Sequence, residues 1–530
     1  MRTKTPALIA LPILFAVCAA AESPMHRGGP EHSGAASALT VPAALKWQWL
    51  GESGTKTLAS PVVVDGVVYV GLGGRITALR LADGAVIWEY PAGQKSPASF
   101  RLTPAVGDGL VFCAASDGSL YVLSADAGRL VWQFNARVSI TTPPTYANGV
   151  VYIGTNDGRV FALDGKSGSP VWTEPYNAGA AIQGPLCVAE GNLLALSEEG
   201  VIHGITPPTG KARYRQRLTG LSRGAYLAVS GEYMFVNSGN SLVALNPANG
   251  RTRWSKALGG AAALSPASDG RHVYTATEDG KVFAFDMSGR QSWQKPVAMP
   301  YPLEASPTIA GDTLVLPLRR GLVYGLDSGS GATLWAYLLK PPPGLRVSSG
   351  GTTRTPTWSS ISSEPTVASE TLLVLTEYGQ LFAFSAKDAV DLTPPNVLHL
   401  VPAPGDMISG RPPLYVQVGL EDLGSGIVED SVELLLDGEP LKPSGDTPLF
   451  DPLKGIVLYQ MRSEDLVRPL SDGRHSFEIR ARDWMGNVLS RKWDVTIDNS
   501  LQPGIPKSRG TDDLGGGGGR GGRTHEGGGG

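Results

Sequence analysis

The feature that most constrains this chain is a repeat of about forty residues. Seven times a turn glycine is followed four residues later by a large aromatic: Gly84/Trp88, Gly128/Trp132, Gly168/Trp172, Gly210/Tyr214, Gly250/Trp254, Gly289/Trp293 and Gly331/Trp335. The aromatics lie 44, 40, 42, 40, 39 and 42 residues apart. Such a period marks stacked supersecondary units, none of which can bury its apolar face alone. Each unit opens alike, as in "ASPVVVDGVVYVG", "TPPTYANGVVYIG" and "SEPTVASETLLVL". Asp-Gly and Asn-Gly turns between β-branched runs predict hairpins, so a unit reads as four short strands, the last bearing the aromatic. Four strands per forty residues is a propeller blade. The opening strands begin at Pro61, Pro104, Pro144, Pro185, Tyr226, Pro266, Pro307 and Pro365, which predicts eight blades. The eighth unit has no Gly-x-x-x-Trp strand, whereas "LKWQWL" at 45–50 stands alone before the first. The expectation is an all-β, eight-bladed β-propeller over 45–391, its ring closed by the strand 45–50.

These residues resemble a known family, the PQQ-type β-propeller repeat proteins. "ALDGKSGSPVW" and "ALNPANGRTRW" are similar to that repeat's Ala-x-Asp/Asn…Gly-x-x-x-Trp core, and "MHRGGPEHSG" (25–34) is similar to an Arg-Gly…His-x-Gly segment that precedes such propellers. The family includes quinone-dependent dehydrogenases, whose ring holds PQQ and a calcium ion beside vicinal cysteines and an acidic base. It also includes an outer-membrane assembly lipoprotein whose blades serve as a docking platform. The chain departs from the enzymes: Cys113 and Cys187 sit in different units, and there is no Cys-x-x-Cys-His haem site. The expectation is therefore no cofactor, with PQQ and calcium as the alternative.

The chain of 530 residues has a formal charge of −3, which gives no case for nucleic acid or an anionic membrane as partner. At the N-terminus Arg2 and Lys4 precede "ALIALPILFAV" and then "CAAA", the pattern of an export signal over 1–21. Cys18 is a candidate lipid-attachment site, although Val17 before it is a poor match. A leader spans 22–44. After Asp391 the repeat stops, and 392–500 alternates as a second unit that resembles bacterial immunoglobulin-like or fibronectin-like modules, with seven strands expected. Asp422, Asp483 and Asn487 are better read there as turn formers than as calcium ligands. The glycine-rich tail 501–530 reads as disordered.

Strand order places the turns between second and third strands on one face, with the connections from each outer strand to the next blade. That rim carries Asp117, Asp157, Glu198, Glu199, Glu278, Asp279 and Glu377, interrupted by Arg319 and Arg320. The longest connection, 338–362, falls on the same face and brings Lys340, Arg346, Arg354 and Trp358. A tryptophan flanked by arginines is the composition of an interface anchor. The candidate partner-binding residues are Arg319, Arg320, Arg354, Trp358 and Asp157; a solvated rim without a partner is the alternative. The seven histidines show no metal-ligand spacing, and no nucleophile elbow or phosphate loop is present. The expected function is a non-enzymatic exported scaffold for an envelope or extracellular protein. The alternatives are a quinone-dependent oxidoreductase and an adhesive or glycan-binding surface protein.

Overall fold

The structure, a computed structural model, describes residues 22–51, 59–222, 224–349, 352–361, 363–442, 448–461 and 469–503. The segment 1–21, read above as an export signal, with Cys18, and the glycine-rich tail from 504 onward lie outside the described residues. The chain divides into two units, one of residues 1–392 with 423–426, the other of 393–422 with 427–530.

Among the described residues of the first unit the hydrophobic repeat folds into eight blades of four antiparallel strands each, in sequence order in blades 1 to 7. Blades 1 to 7 are 62–90, 105–135, 145–177, 182–217, 228–257, 262–298 and 308–338. The eighth sheet takes three strands from 366–385, and Ala44–Leu50 supplies its fourth, with Trp47 opposite Ala383. The first chain segment thus closes the ring against the last.

The repeated glycine and aromatic act between blades. Each aromatic lies over the turn glycine of the following blade: Trp47 over Gly84, Trp88 over Gly128, Trp132 over Gly168, Trp172 over Gly210, Tyr214 over Gly250, Trp254 over Gly289 and Trp293 over Gly331. A Cβ on Gly128 would stand 2.4 Å from the Trp88 ring, so a side chain is excluded there by the neighbouring blade. The ring edge then donates onward to the same turn: Trp88 Nε1 to Ala125 O at 2.9 Å, Trp132 Nε1 to Gly165 O at 3.1 Å, Trp254 Nε1 to Met287 O at 2.9 Å. Tyr214 uses its hydroxyl for the same purpose, reaching Pro247 O at 2.7 Å. The glycine thus serves the aromatic before it in sequence, not the one four residues after it.

The eighth blade takes its fourth strand from the N-terminus, so it has no such turn to offer Trp335. Leu423–Gly426, counted with this unit, stands in: Trp335 Nε1 donates to Ser425 O at 3.1 Å and Tyr337 Oη to Leu423 O at 2.9 Å.

The expectation of an aromatic-bearing fourth strand fails in blades 3 and 6. There the fourth strand is only Tyr176–Asn177 or Val297–Ala298, and Trp172 and Trp293 sit in the bends before it. Pro175 and Pro296 follow these tryptophans and have no N–H to give to a ladder.

The second unit packs two sheets around one core, where Val416, Val418 and Tyr459 meet Phe477, Ile479 and Trp493. One sheet has four strands and the other five, more than the seven expected, because short pieces such as Met407–Ile408 and Glu439–Pro440 extend the edges. Asp483 caps its own turn, accepting from Asn487 N at 2.8 Å and Asn487 Nδ2 at 2.7 Å.

Candidate docking rim and ring centre

The turns between second and third strands and the connections to the next blade do share one face of the propeller. The connections run so close over the turn glycines that a Cβ on Gly118 would meet Val138 O at 2.5 Å, and one on Gly158 would meet Ala180 O at 2.6 Å.

At blade 7 this rim takes a particular form. The turn Arg319–Gly321 is a single 3-10 turn, with Arg320 in the left-handed region at φ 67° and ψ 24°. The connection leaves by Leu339, whose N–H donates to Gly321 O at 2.9 Å, and returns by Ser359, whose N–H donates to Leu339 O at 2.9 Å. Between them lies a hairpin, Val347–Ser349 with Thr352–Arg354, in which Arg354 pairs with Val347. The return brings Trp358 against the turn. The Arg320 guanidinium carbon lies 5.8 Å from the Trp358 ring centroid and 4.6 Å from that of Tyr301, which belongs to the connection from blade 6. Arg320 Nη1 donates to Tyr301 Oη at 3.4 Å. Arg319 faces Glu304 at 3.9 Å.

Of the sequence candidates, the structure thus brings Arg319, Arg320 and Trp358 together. Tyr301 joins them unforeseen: it lies in a different connection, and nothing in "MPYPLE" marks it. Asp157 sits apart, in the turn of blade 3. Its carboxylate accepts from Thr155 Oγ1 at 2.6 Å and Arg159 Nε at 2.7 Å. Burial pushes its pKa up, but these two donors hold it below the usual carboxylate range. Asp157 is a hairpin device. The same face carries a groove of about 490 Å³ between blades 5 and 6, lined by Leu221, Gly239, Asn240, Gly259 and Glu278.

The centre of the ring holds a second polar cluster that sequence reasoning missed. The leader does not merely precede the propeller; it runs once around the inner strands. Ser23 exchanges backbone bonds with Val63 of blade 1, and Pro24 O accepts from Val106 of blade 2. Pro30, Glu31, Ser33 and Gly34 carbonyls accept from Val188, Val229, Ser268 and Ile309, in blades 4, 5, 6 and 7. Ala35–Ala36 then adds a parallel strand to blade 7. These bonds satisfy inner-edge N–H groups that the blades themselves leave open.

Three leader side chains fill the axis. Arg27 Nη2 donates to Pro266 O at 2.7 Å and Pro307 O at 3.3 Å. Its guanidinium lies so close over Gly34 that a Cβ there would stand 2.4 Å from Nη2. His32 Nδ1 donates to His26 O, and Nε2 faces Thr145 Oγ1 at 3.1 Å. His26 Nδ1 lies 3.3 Å from Thr103 Oγ1 and 3.9 Å from Glu364 Oε2. The residue just before the opening proline is Ser60, Thr103, Ser265 and Ser306 in four blades, and Glu364 in the eighth. Ser60 and Ser306 hydroxyls donate to the Glu364 carboxylate at 3.4 and 3.2 Å. "SEPTV" against "ASPVV" was the signal that could have revealed it.

Burial lowers the His32 pKa to about 3, with His26 and Arg27 adding to the effect. Burial lowers that of His26 too, against the pull of Glu364. Burial alone would raise Glu364, but His26 and Arg27 hold it below its ordinary value. A quinone site of the kind the resemblance implies does not fit this centre. The leader takes its place along the axis, the Glu364 carboxylate is engaged by two hydroxyls, and Cys113 and Cys187 are buried in separate blades.

The profile of the family described as outer membrane protein assembly factor BamB matches residues 37–102, 95–213 and 198–390. The chain belongs to this family. Among relatives, BamB of Xanthomonas campestris pv. campestris is 32% identical over 306 residues, 54% of this chain and 65% of that protein. The serine/threonine-protein kinase AfsK of Streptomyces griseus is 36% identical over 89 residues, 16% of this chain and 11% of the kinase. The chain therefore spans less than two thirds of either curated relative. Among solved structures, BamB from Moraxella catarrhalis superposes with a TM-score of 0.51 at 18% identity, covering 65% of this chain and 99% of that one. Quinohemoprotein alcohol dehydrogenase from Comamonas testosteroni gives 0.54 at 14% identity, over 70% and 81%. Both likenesses show the propeller fold alone. No helix among the described residues is long and apolar enough to cross a membrane.

Proposed function

We propose that this member of the BamB family is a non-enzymatic scaffold of the cell envelope, exported by its signal at 1–21, which docks a protein partner on the rim of blade 7. The observation that carries this reading is the Arg320–Tyr301–Trp358 cluster. Two connections and one turn converge there to present an arginine and two rings on a rim rich in carboxylates. Trp, Tyr and Arg are the residues that dominate interface energetics, and a ring held by local packing loses little entropy on binding. The relative named as an outer membrane protein assembly factor supports a protein of the envelope as the partner.

Trp358→Ala removes one of the two rings and leaves the propeller core untouched. Partner recovery from solubilised envelope falls at least about tenfold, the loss of one anchor worth 1.4 kcal/mol or more. The melting temperature stays at the wild-type value. Undiminished recovery by this variant would remove the docking reading.

A further inference from the structure

The geometry points to a carboxylate as the group that the partner delivers to Arg320, a specificity element that rests on the docking reading above. Among the described residues several rim cations, though not Arg101 or Arg137, already have an acidic neighbour. Arg159 pairs with Asp157 at 2.7 Å, Lys281 with Asp279 at 2.7 Å, Arg217 with Glu199 at 3.4 Å, and Arg319 approaches Glu304 at 3.9 Å. Arg320 is exposed and has no carboxylate within ion-pair distance among the described residues. Its only hydrogen bond there is the 3.4 Å contact from Nη1 to Tyr301 Oη.

Its pose is imposed by the fold. A non-glycine residue at φ 67° is uncommon and strained. The next residue, Gly321, cannot relax the turn, because a Cβ there would stand 2.5 Å from Ser359 O. The backbone therefore aims Arg320 at Tyr301, and the returning connection adds Trp358. Apart from Nη1, which donates to Tyr301, no N–H of the guanidinium has a hydrogen-bond acceptor among the described residues, so the Nε and Nη2 edge remains for a partner. A planar edge of parallel N–H donors matches a carboxylate bidentately, and a side chain already stacked gives up little freedom on forming the pair. The surrounding rim selects a single negative charge over a polyanion: Glu278, Asp279, Glu377 and their neighbours repel a phosphate dianion more than one Asp, Glu or C-terminal carboxylate.

The test uses the full chain labelled with ¹⁵N-arginine and titrated with N-acetyl-aspartate amide, N-acetyl-asparagine amide and inorganic phosphate at equal ionic strength. The Nε–H resonance assigned by its disappearance in Arg320→Gln shifts saturably with the aspartate probe, with Kd on the order of 10 mM. The shift is absent with asparagine and weaker with phosphate. Arg320→Lys keeps the charge without the fork, and partner recovery from envelope falls about tenfold. Equal shifts with aspartate and asparagine, tighter binding of phosphate, or no shift at all would overturn the inference. The two readings fail separately. If Trp358→Ala abolishes partner recovery while Arg320→Gln and Arg320→Lys leave it intact, docking stands and the carboxylate assignment falls. If all three variants recover the partner normally, docking itself falls.

Discussion

Replacing Arg27 with alanine lowers the stability of the propeller by about 3–5 kcal/mol. The residue belongs to the leader, outside every blade, and its length of chain reads as a linker. Its guanidinium is nevertheless buried on the ring axis, donating to the Pro266 and Pro307 carbonyls of blades 6 and 7. Truncation strands both carbonyls and removes a guanidinium whose charge helps hold Glu364 ionised, a carboxylate largely buried at 12% exposure. A buried charge left without its counter-charge is among the costlier single changes a fold can suffer. Arg27→Met preserves most of the volume and gives a similar loss, since the deficit is electrostatic and hydrogen-bonded. Denaturant unfolding at pH 7 measures it; a loss under about 1 kcal/mol would mean the leader is dispensable to the ring.

Acid weakens the same centre. His32 has a folded pKa of about 3 against an ordinary 6.5, because burial disfavours the imidazolium. Below pH 6.5 the unfolded chain takes up a proton that the folded chain refuses, so stability falls as pH falls, down to about pH 3. The slope from this residue alone is about 1.4 kcal/mol per pH unit, or about 2 kcal/mol between pH 6.5 and pH 5. His203, lowered to about 4 chiefly by burial, and His26, lowered by burial, act in the same direction. The propeller's melting temperature therefore declines steadily from pH 7 to pH 5, and His32→Asn flattens the decline whatever it does to the absolute stability. A melting temperature independent of pH over that range would contradict the burial of both leader histidines. In the second unit His475 behaves oppositely. Burial would lower it, but Asp437 at 2.6 Å and the Ser471 carbonyl raise its pKa, so its contribution is present below pH 6.5 and fades as pH rises through the raised value.

How far the sequence revealed this molecule follows from which interactions recur. The forty-residue spacing, the opening prolines and the unpaired "LKWQWL" all reflect contacts repeated in each blade, so they print a period that can be read without coordinates. The spacing did not reveal the partner of each aromatic, because Gly128 and Trp132 are neighbours in sequence, whereas Gly128 and Trp88 are neighbours only in the ring. The leader escaped for a related reason. Its bonds to Val106, Val188, Val229 and Ser268 are backbone bonds, which leave no compositional trace. His26, His32 and Glu364 read as scattered residues because the ring alone brings them to one axis. On the rim, Arg319, Arg320 and Trp358 were legible as an interrupted acidic pattern with an insertion beside it. Tyr301 was not, since only the folded connection from blade 6 carries it to Arg320.

Docking on this rim, rather than on the opposite face, is the claim on which the functional account turns. Site-specific photo-cross-linking tests it most directly, with a benzophenone side chain placed either at Thr357, exposed beside Trp358, or at Asn148, an exposed turn residue between the first and second strands of blade 3 and so on the other face. Irradiated in intact envelope, the probe at 357 forms one dominant protein adduct and the probe at 148 forms none. A dominant adduct from 148 with nothing from 357 would contradict the account.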